Sequence, residues 1–328
     1  MHLLIIGAAG MIGRKLAERV AATGAIDGQT VDRMTLADVI APDVAPDFKG
    51  QRNVVKTDLS DKGAAVRLIA DRPDAIVHLA AIVSGEAETD FDKGYSVNLD
   101  GTRALFDAIR LAEGYVPRVV YASSLAVFGA PFPDRIPDEF HLTPLTSYGA
   151  QKAMGELLLD DYSRRGFLDG IGIRFPTICI RPGKPNKAAS SFFSGILREP
   201  LNGQDAVLPV GDDIRHWHAS PRAAVGFLDH AAGLDTSGLG PRRNLTMPGV
   251  SATVGEQIEA LRRRAGDRAV ALIRREPDVT IHRIVSGWAR DFDTVRARDL
   301  GFVAEQSFDE IITVYVEDEL GGTLPAQP

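Results

Sequence analysis

The sequence predicts an α/β fold: a doubly wound parallel sheet covered by helices, with a smaller mixed α/β lobe in the C-terminal part. Short apolar runs alternate with segments of helical spacing up to residue 175, and a glycine-rich turn follows the first of these runs. The runs are continuously apolar, which is typical of strands buried on both faces of a parallel sheet. Their regular alternation with helices predicts that helices cover both faces of that sheet.

The first strand and the first helix are the clearest elements. Residues 3–6 are four apolar residues in a row, and residues 11–22 carry apolar side chains at helical spacing. The same pattern then repeats through the first half of the chain. Further strands are predicted at 34–39, 53–56, 75–79, 118–122 and 170–175, and further helices at 62–71, 97–112 and 147–165.

The pattern changes after Phe175, where residues 176–202 are irregular apart from a helical segment at 192–197. We interpret 281–285 as a strand, and helical spacing returns at 221–232, 254–265 and 308–319. We therefore predict two domains. The first is a sheet domain of residues 1–175, rejoined by 222–240, and the second is a lobe formed by 176–221 and 241–328.

Composition limits the classes of function. The 328 residues are 45% hydrophobic and 25% charged, with a net charge of −7, which disfavours nucleic acid as a partner. No stretch approaches the roughly 20 apolar residues needed to cross a membrane. The single cysteine, Cys179, excludes an intramolecular disulfide and a multi-cysteine metal site, and we expect no metal. A cytoplasmic protein fits this composition.

The turn after the first strand reads G-A-A-G-M-I-G, with Gly7, Gly10 and Gly13 before and inside the first helix. Such glycines permit a tight turn, close approach of a pyrophosphate and close helix–sheet packing. The N–H groups at the helix start, including those of Met11 and Ile12, would hold the phosphate. A glycine turn without a ligand is the alternative, but the position at the first strand–helix junction favours a Rossmann-type dinucleotide site.

Two carboxylates follow the second and third strands. Asp38 ends the second strand, where a carboxylate can bind the adenosine ribose and would repel a 2′-phosphate. No cation follows it directly, so we predict NAD rather than NADP. Asp58 and Leu59 follow the third strand and would meet the adenine, although Asp58 could equally cap a helix.

A tyrosine and a lysine begin the helix predicted at 147–165. Tyr148 and Lys152 are four residues apart, which places both on one helix face. Tyrosine has a pKa of about 10, and a neighbouring ammonium favours the phenolate that could remove a hydroxyl proton. Ser123 and Ser124 end the fifth strand, at the sheet edge where such folds bind ligands. We expect Ser124 to hold the reacting oxygen and Ser123 to serve the turn.

Together these features resemble the extended short-chain dehydrogenase/reductase family, whose members include NAD-dependent epimerases and dehydratases. The motifs GAAGMIG, LADV, TDL, HLAA, NLDGT, YASSLAVFG and YGAQK occur in the expected order across the first domain. The resemblance implies that Tyr148 is the general acid/base, that Lys152 binds the nicotinamide ribose and that Ser124 orients the substrate. It also implies that NAD is lined by Leu79, Ala80, Ala81, Asn98, Pro176 and Ile178.

The substrate segments differ from those of nucleotide-sugar epimerases. Thr177 stands where those enzymes usually carry asparagine. The stretch R-H-W-H-A-S-P-R replaces their usual motif and shares with it the first arginine, Arg215. The chain is more similar to the D-erythronate dehydrogenase group, which oxidises the C2 hydroxyl of a four-carbon sugar acid with NAD. An epimerase or dehydratase with tightly bound NAD is the alternative, and a non-enzymatic NAD-binding regulator is a third.

A small sugar acid needs its carboxylate neutralised and its hydroxyls bound. Arg181 is the candidate for the carboxylate, since arginine binds carboxylates through two parallel hydrogen bonds. Ser190 or Ser191 would assist, or would cap the helix that follows. Ser84 is a candidate from the opposite wall, while Lys184 and Lys187 stay without a role. The family also implies a homodimer.

Overall fold

The computed structural model describes residues 1–43, 47–183 and 189–325. Their contacts divide the chain into two compact units, each assembled from three segments. The first unit comprises Met1–Val127, Leu142–Phe175 and Val225–Thr246, and the second comprises Phe128–His141, Pro176–Ala224 and Met247–Pro328.

Strands and helices alternate in the first unit as predicted. The strands of the described residues are β1 (His2–Ile6), β2 (Ala25–Ile26), β3 (Gln29–Thr30), β4 (Arg33–Asp38), β5 (Gln51–Lys56), β6 (Ala75–His78), β7 (Arg118–Ser124), β8 (Asp169–Phe175), β9 (Thr177–Ile178), β10 (Ala206–Leu208), β11 (Arg215–Ala219), β12 (Asn244–Thr246), β13 (Val250–Thr253) and β14 (Ile273–Arg275). The α-helices of the described residues, taken over both units, are α1 (Met11–Thr23), α2 (Ala64–Ile69), α3 (Ser84–Thr89), α4 (Phe91–Tyr95), α5 (Thr102–Leu111), α6 (Ser147–Arg164), α7 (Ser191–Leu201), α8 (Pro221–Gly233), α9 (Val254–Ala271), α10 (Val279–Ser286), α11 (Val295–Asp299) and α12 (Phe308–Glu319).

The described part of the first unit contains a seven-stranded sheet in the order β5-β4-β1-β6-β7-β8-β12, and every pairing in it is parallel. This is the Rossmann-type arrangement, and the predicted fold class is confirmed. The strand order reverses between β1 and β6, because β4 and β5 follow on one side of β1 whereas β6, β7 and β8 follow on the other. The carboxyl ends of β1 and β6 therefore open a crevice at the position where such sheets bind ligands. β1 supplies the buried core residues Leu3, Leu4, Ile5 and Ile6.

The second unit has its own apolar core. Phe193, Ile196 and Leu197 of α7 pack there with residues of α9 and α12. Two small sheets of described residues complete this unit, one of β10 and β14 and one in the order β13-β11-β9. A mixed α/β lobe was the prediction for this part of the chain.

The structure differs from the predicted elements at several places, and the elements that were not predicted include α3, α4, α11, β10, β11, β13 and β14. Residues 281–285 are not a strand but part of α10, whose first turn is capped by Asp278 through the N–H groups of Thr280 and Ile281. The helix predicted at 97–112 begins as a π-helical segment, Ser96–Gly101. β12 adds a strand that was not predicted, because three residues carry too little pattern to be recognised.

The unit boundaries also lie at other residues than those predicted. Residues Phe128–His141 belong to the second unit, where Ile136 forms a bridge with Phe292 and Phe128 packs against Phe292. The segment that returns to the first unit is Val225–Thr246, because β12 pairs with β8 in the main sheet. Among the described residues, no helix combines the length and apolar character needed to cross a bilayer.

Candidate active site

The glycine turn between β1 and α1 has no room for a side chain at Gly7, and the start of α1 has none at Gly13. Gly7 has a φ of +91°, and a Cβ there would lie 2.6 Å from the backbone nitrogen of Ala80. A Cβ on Gly13 would lie 2.3 Å from the carbonyl oxygen of Gly7. Gly10 precedes α1 and offers no side-chain cap, so the first N–H groups of the helix stay available to a ligand. This cradle fits a dinucleotide phosphate.

Asp38 is held at the same turn. Its Oδ2 accepts a hydrogen bond of 2.9 Å from the N–H of Ala9, which ties the end of β4 to the glycine turn beside β1. The carboxylate is therefore fixed where the sequence expects the adenosine ribose. Asp58 accepts hydrogen bonds from both the N–H and the hydroxyl of Ser60, and so stabilises its own turn. Leu59 is buried in the core, which leaves mainly its backbone for contact with a ligand.

The segment after β6 is fixed from two sides. The N–H groups of Leu79 and Ala80 donate to the carbonyl of Ile6, at 2.8 and 3.0 Å. The Asn98 side chain binds both the N–H and the carbonyl of Ile82, at 2.7 and 3.0 Å. Ala81 lies between these anchors and is half-buried. Hydrogen bonds thus fix the segment that the sequence analysis expects to line NAD.

Asn98 lies in the π-helical segment that sequence reasoning missed. Its Nδ2 donates 2.7 Å to Oε1 of Gln151, the residue before Lys152, and this links the π segment to α6. Asn98 therefore contacts α6 at the residue next to Lys152. Gln151 Nε2 is buried without a hydrogen-bond partner among the described residues. Single π turns inside helices are frequent at functional sites.

Tyr148 and Lys152 lie near each other on α6, and Ser124 lies beside the Tyr148 phenol. The Lys152 ammonium is buried, donates 2.8 Å to the carbonyl of Ala122, and lies 5.8 Å from the centre of the Tyr148 ring. Ser124 ends β7 and is hydrogen-bonded to the Tyr148 phenol. Thr146 caps α6 by accepting from the N–H of Gly149, which sets the helix start on which Tyr148 lies.

Burial changes the acidity of this pair. It raises the pKa of the Tyr148 phenol, and the hydrogen bond with Ser124 offsets part of that rise. Burial also lowers the pKa of Lys152 to about 8, against the opposing effect of the Glu156 carboxylate. A charged lysine beside a tyrosine favours the phenolate, which is the form that can accept a proton.

Ser123 has a different partner from Ser124. Its hydroxyl donates 2.5 Å to the buried carboxylate of Glu156, which also forms a two-pronged ion pair with Arg174 on β8. The sequence pattern predicts a turn role for Ser123 and predicts no role for Glu156 or Arg174. The signal was visible in one respect, because Tyr148, Lys152 and Glu156 are spaced four residues apart on one helix.

In the second unit, Thr177 is anchored to a buried histidine. Its hydroxyl lies 2.7 Å from Nε2 of His216, whose Nδ1 lies 2.9 Å from the carbonyl of Ala289. Burial lowers the pKa of His216 to about 4. Thr177 and Ile178 form β9 against β11, and the preceding Pro176 is buried.

Arg181 has an unusual environment within the second unit. Its guanidinium is half-buried, has no carboxylate partner among the described residues, and lies near Arg198, whose own charge is paired with Glu199. Burial first, and then the charge of Arg198, lower the pKa of Arg181. Arg215 is different, because Glu256 neutralises it at 3.2 Å. A half-buried cation without a counter-charge is a candidate anion-binding group.

The serine candidates lie at the starts of two helices. Ser190 precedes α7 but makes no capping hydrogen bond with its side chain, and Ser191 is the first residue of that helix. Ser84 begins α3 in the first unit and is half-buried. Lys184 and Lys187 lie outside the described residues. Cys179 is buried with its pKa raised to about 12, as expected of a small core residue.

Comparisons with known proteins find relatives that match nearly the whole chain. D-erythronate dehydrogenase of Cupriavidus necator is 47% identical over 322 residues, covering 97% of this chain and 98% of that protein. D-erythronate dehydrogenase of Haemophilus influenzae is 41% identical over 320 residues, covering 98% of this chain and 100% of that protein. A crystal structure described as the nucleoside-diphosphate-sugar epimerase from Agrobacterium tumefaciens has a TM-score of 0.97 and 66% identity, covering 99% of this chain and 96% of that chain.

The family model described as the NAD dependent epimerase/dehydratase family matches residues 3–221. That range contains the glycine cradle, Asp38 and the Ser124, Tyr148 and Lys152 group. The cradle and the carboxylate beside it are the parts that a dinucleotide requires, and NAD is the cofactor of this chain. The chain belongs to the NAD dependent epimerase/dehydratase family.

Proposed function

We propose that this chain oxidises the C2 hydroxyl of a small sugar acid of the D-erythronate type to the 2-oxo acid, using NAD. The near-full-length identity to two D-erythronate dehydrogenases carries this proposal. The juxtaposition of Ser124, Tyr148 and Lys152 in the first unit supports it, because the reaction needs a base beside the hydroxyl. The proposed products are the 2-oxo acid, NADH and one proton.

The chain's own residues would handle the proton. Ser124 would hold the substrate oxygen, and the Tyr148 phenolate would take the hydroxyl proton. Lys152 would stabilise that phenolate and bind the nicotinamide ribose, while Gly7, Gly10, Gly13 and the start of α1 would hold the pyrophosphate. When bound, NAD supplies the acceptor for the hydride that leaves C2.

Arg181 is the proposed group for the substrate carboxylate. Its half-buried guanidinium lacks a counter-charge among the described residues, whereas Arg215 is already neutralised by Glu256. Thr177, Ser84 and Ser190 or Ser191 are the proposed partners of the substrate hydroxyls. The proposed substrate is thus a short polyol with one carboxylate.

We also propose a cytoplasmic homodimer that pairs through two helices of the first unit. Leu111 on α5 and Leu157 on α6 support this, because they are large apolar side chains that stay 71% and 62% exposed. The single buried cysteine fits a reducing compartment. The Leu157→Asp variant should be monomeric in light scattering, and a dimeric variant would exclude α6 as the interface.

The test of the proposed activity is NADH release from NAD across a panel of C3 to C6 aldonates. D-erythronate or a close relative should be oxidised, and Tyr148→Phe should lower kcat by about 100-fold or more. Tyr162→Phe is the matched control, because it also removes a phenol hydroxyl from α6. The hydroxyl of Tyr162 donates to Asp107 and lies outside the serine, tyrosine and lysine group. No NADH with any aldonate would refute the proposal.

A nucleotide-sugar epimerase is the second candidate, favoured by the description of the Agrobacterium tumefaciens structure. Such an enzyme would retain NAD through purification and show no net redox change. The two candidates separate in a thermal-shift screen with UDP, dTDP and aldonates. Stabilisation by a nucleoside diphosphate with none by aldonates would favour the epimerase.

A further inference from the structure

A buried carboxylate lies one helical turn beyond the proposed lysine of the site. Tyr148, Lys152 and Glu156 occupy positions four residues apart on α6, and residues at this spacing share a helix face. Glu156 is only 1% exposed. It is not part of the serine, tyrosine and lysine group to which the reaction has been assigned.

Both carboxylate oxygens of Glu156 are occupied by groups of the sheet. Oε1 accepts 2.5 Å from the Ser123 hydroxyl and 2.9 Å from Nε of Arg174, and Oε2 accepts 2.7 Å from Nη2 of Arg174. Ser123 and Arg174 are partners in the register of β7 and β8, so their side chains lie on the same face of the sheet. Glu156 therefore connects α6 to two adjacent strands.

The two consecutive serines of β7 have different hydrogen-bond partners. Side chains alternate along a strand, and Ser123 bonds Glu156 whereas Ser124 bonds Tyr148. The residue before them, Ala122, supplies the carbonyl that accepts from the Lys152 ammonium at 2.8 Å. The bond from Ser123 to α6 thus fixes the strand segment that presents both Ala122 and Ser124.

The buried groups around Glu156 include two cations and one carboxylate. Lys152 and Arg174 are both buried cations, and Glu156 is the carboxylate that raises the pKa of Lys152 against the effect of burial. The other titratable groups close to Lys152 are His78 on β6, Tyr121 on β7 and Tyr148. Loss of the carboxylate charge would leave two buried cations, and only the lysine can lose its proton.

We propose that Glu156, held by Arg174 and Ser123, is a positioning residue that keeps Lys152 charged and fixes the strand presenting Ser124 to the substrate. The inference rests on the proposed function, because that function assigns Lys152 and Tyr148 to proton transfer. A purely structural ion pair would affect stability alone and would leave the protonation of Lys152 unchanged.

The decisive measurement is the titration midpoint of Lys152 by NMR of protein labelled at its lysine side chains, without substrate. The sequence has eight lysines, and Lys152→Arg assigns the signal. In Glu156→Gln the midpoint should fall by at least about one pH unit, a tenfold change in the protonation equilibrium. An unchanged midpoint in folded Glu156→Gln would overturn the proposal.

Two further variants keep the test independent of stability. Glu156→Gln combined with Arg174→Met removes both charges of the pair, and the midpoint should fall less than in Glu156→Gln, because a neighbouring cation is lost together with the carboxylate. A folded double variant whose midpoint lies below that of Glu156→Gln would also overturn the proposal. Asp169→Asn is the matched control: it breaks another ion pair of the first unit, with Arg118, and should leave the midpoint unchanged.

The second part of the proposal, that the Ser123–Glu156 bond fixes the strand presenting Ser124, is tested by Ser123→Ala and Ser123→Thr in the oxidation assay. Ser123→Ala should lower kcat about tenfold with KM and the Lys152 midpoint unchanged, and Ser123→Thr should restore kcat because it keeps the hydroxyl. Wild-type kcat in Ser123→Ala would overturn this half. Failure to oxidise any aldonate would refute the proposed function instead and would leave the NMR midpoint as a valid test.

Discussion

The Thr177 hydroxyl donates a hydrogen bond to Nε2 of His216 over 2.7 Å. The direction follows from the other ring nitrogen, because the carbonyl of Ala289 can only accept and Nδ1 must carry the proton. Burial lowers the pKa of His216 to about 4, so the ring is neutral near pH 7 and Nε2 has no proton. The remaining capacity of Thr177 is to accept, which suits a substrate hydroxyl rather than a carboxylate.

Replacement of Thr177 by valine should therefore destabilise the chain. Valine has nearly the same shape but leaves the buried Nε2 of His216 without a donor, at a cost of about 1–3 kcal/mol in unfolding free energy. Thr177→Ser keeps the donor and should lose much less. Urea unfolding at pH 7 measures both, and equal stability of the two variants would contradict a stabilising hydrogen bond between Thr177 and His216.

Replacement of Arg181 by methionine should separate stability from substrate binding. The charged guanidinium is disfavoured by burial and by Arg198, so its removal should keep or raise the melting temperature. KM for the sugar acid should rise about tenfold to a hundredfold if the hydrogen bonds to its carboxylate are lost. Arg222→Met, which removes a guanidinium paired with Glu317 and Asp318, is the control. An unchanged KM in Arg181→Met would reassign the carboxylate.

Alanine at Gly7 should be far more damaging than alanine at Gly24. Both glycines have positive φ, +91° and +69°, so each substitution carries a strain of about 1–2 kcal/mol. Only at Gly7 would the added Cβ also meet backbone atoms, whereas nothing lies within 4 Å of it at Gly24. Gly7→Ala should lose NAD binding, measured by calorimetric titration, while Gly24→Ala should keep it. Equal NAD affinity in both variants would argue against the cradle.

Stability should fall in mild acid because of buried histidines. Burial lowers the pKa of His216 to about 4 and that of His78 to about 3. Between pH 6.5 and these values the unfolded chain binds protons that the folded chain does not, so the unfolding free energy falls as pH falls. The slope is about 1.4 kcal/mol per pH unit for each histidine. His216→Gln should reduce the slope measured by urea unfolding between pH 6 and 4, and an unchanged slope would contradict this assignment.

Local patterns predicted the parts of the site that depend on neighbours in sequence. The glycine turn, the Tyr148–Lys152 spacing and the strand-end serines are all readable within a few residues. The Glu156–Arg174 pair was missed, because its partners come from different elements and only the fold brings them together. The π-helical turn at Asn98 leaves no periodic signature, since one extra residue in a turn barely shifts the apolar pattern. The apolar run at 281–285 was misread because it is too short to distinguish a strand from a helix.

The main sheet cannot be completed during synthesis until β12 has been made. It closes the edge of the sheet beside β8, where Asn244 pairs with Gly172 and its Nδ2 also bonds Asp160 of α6. Until the ribosome has made Thr246, β8 remains an open edge with unpaired backbone groups, the kind that recruits other strands. A fragment ending at Phe175 would contain Ser124, Tyr148 and Lys152 and yet expose that edge, so it should aggregate rather than serve as a minimal enzyme.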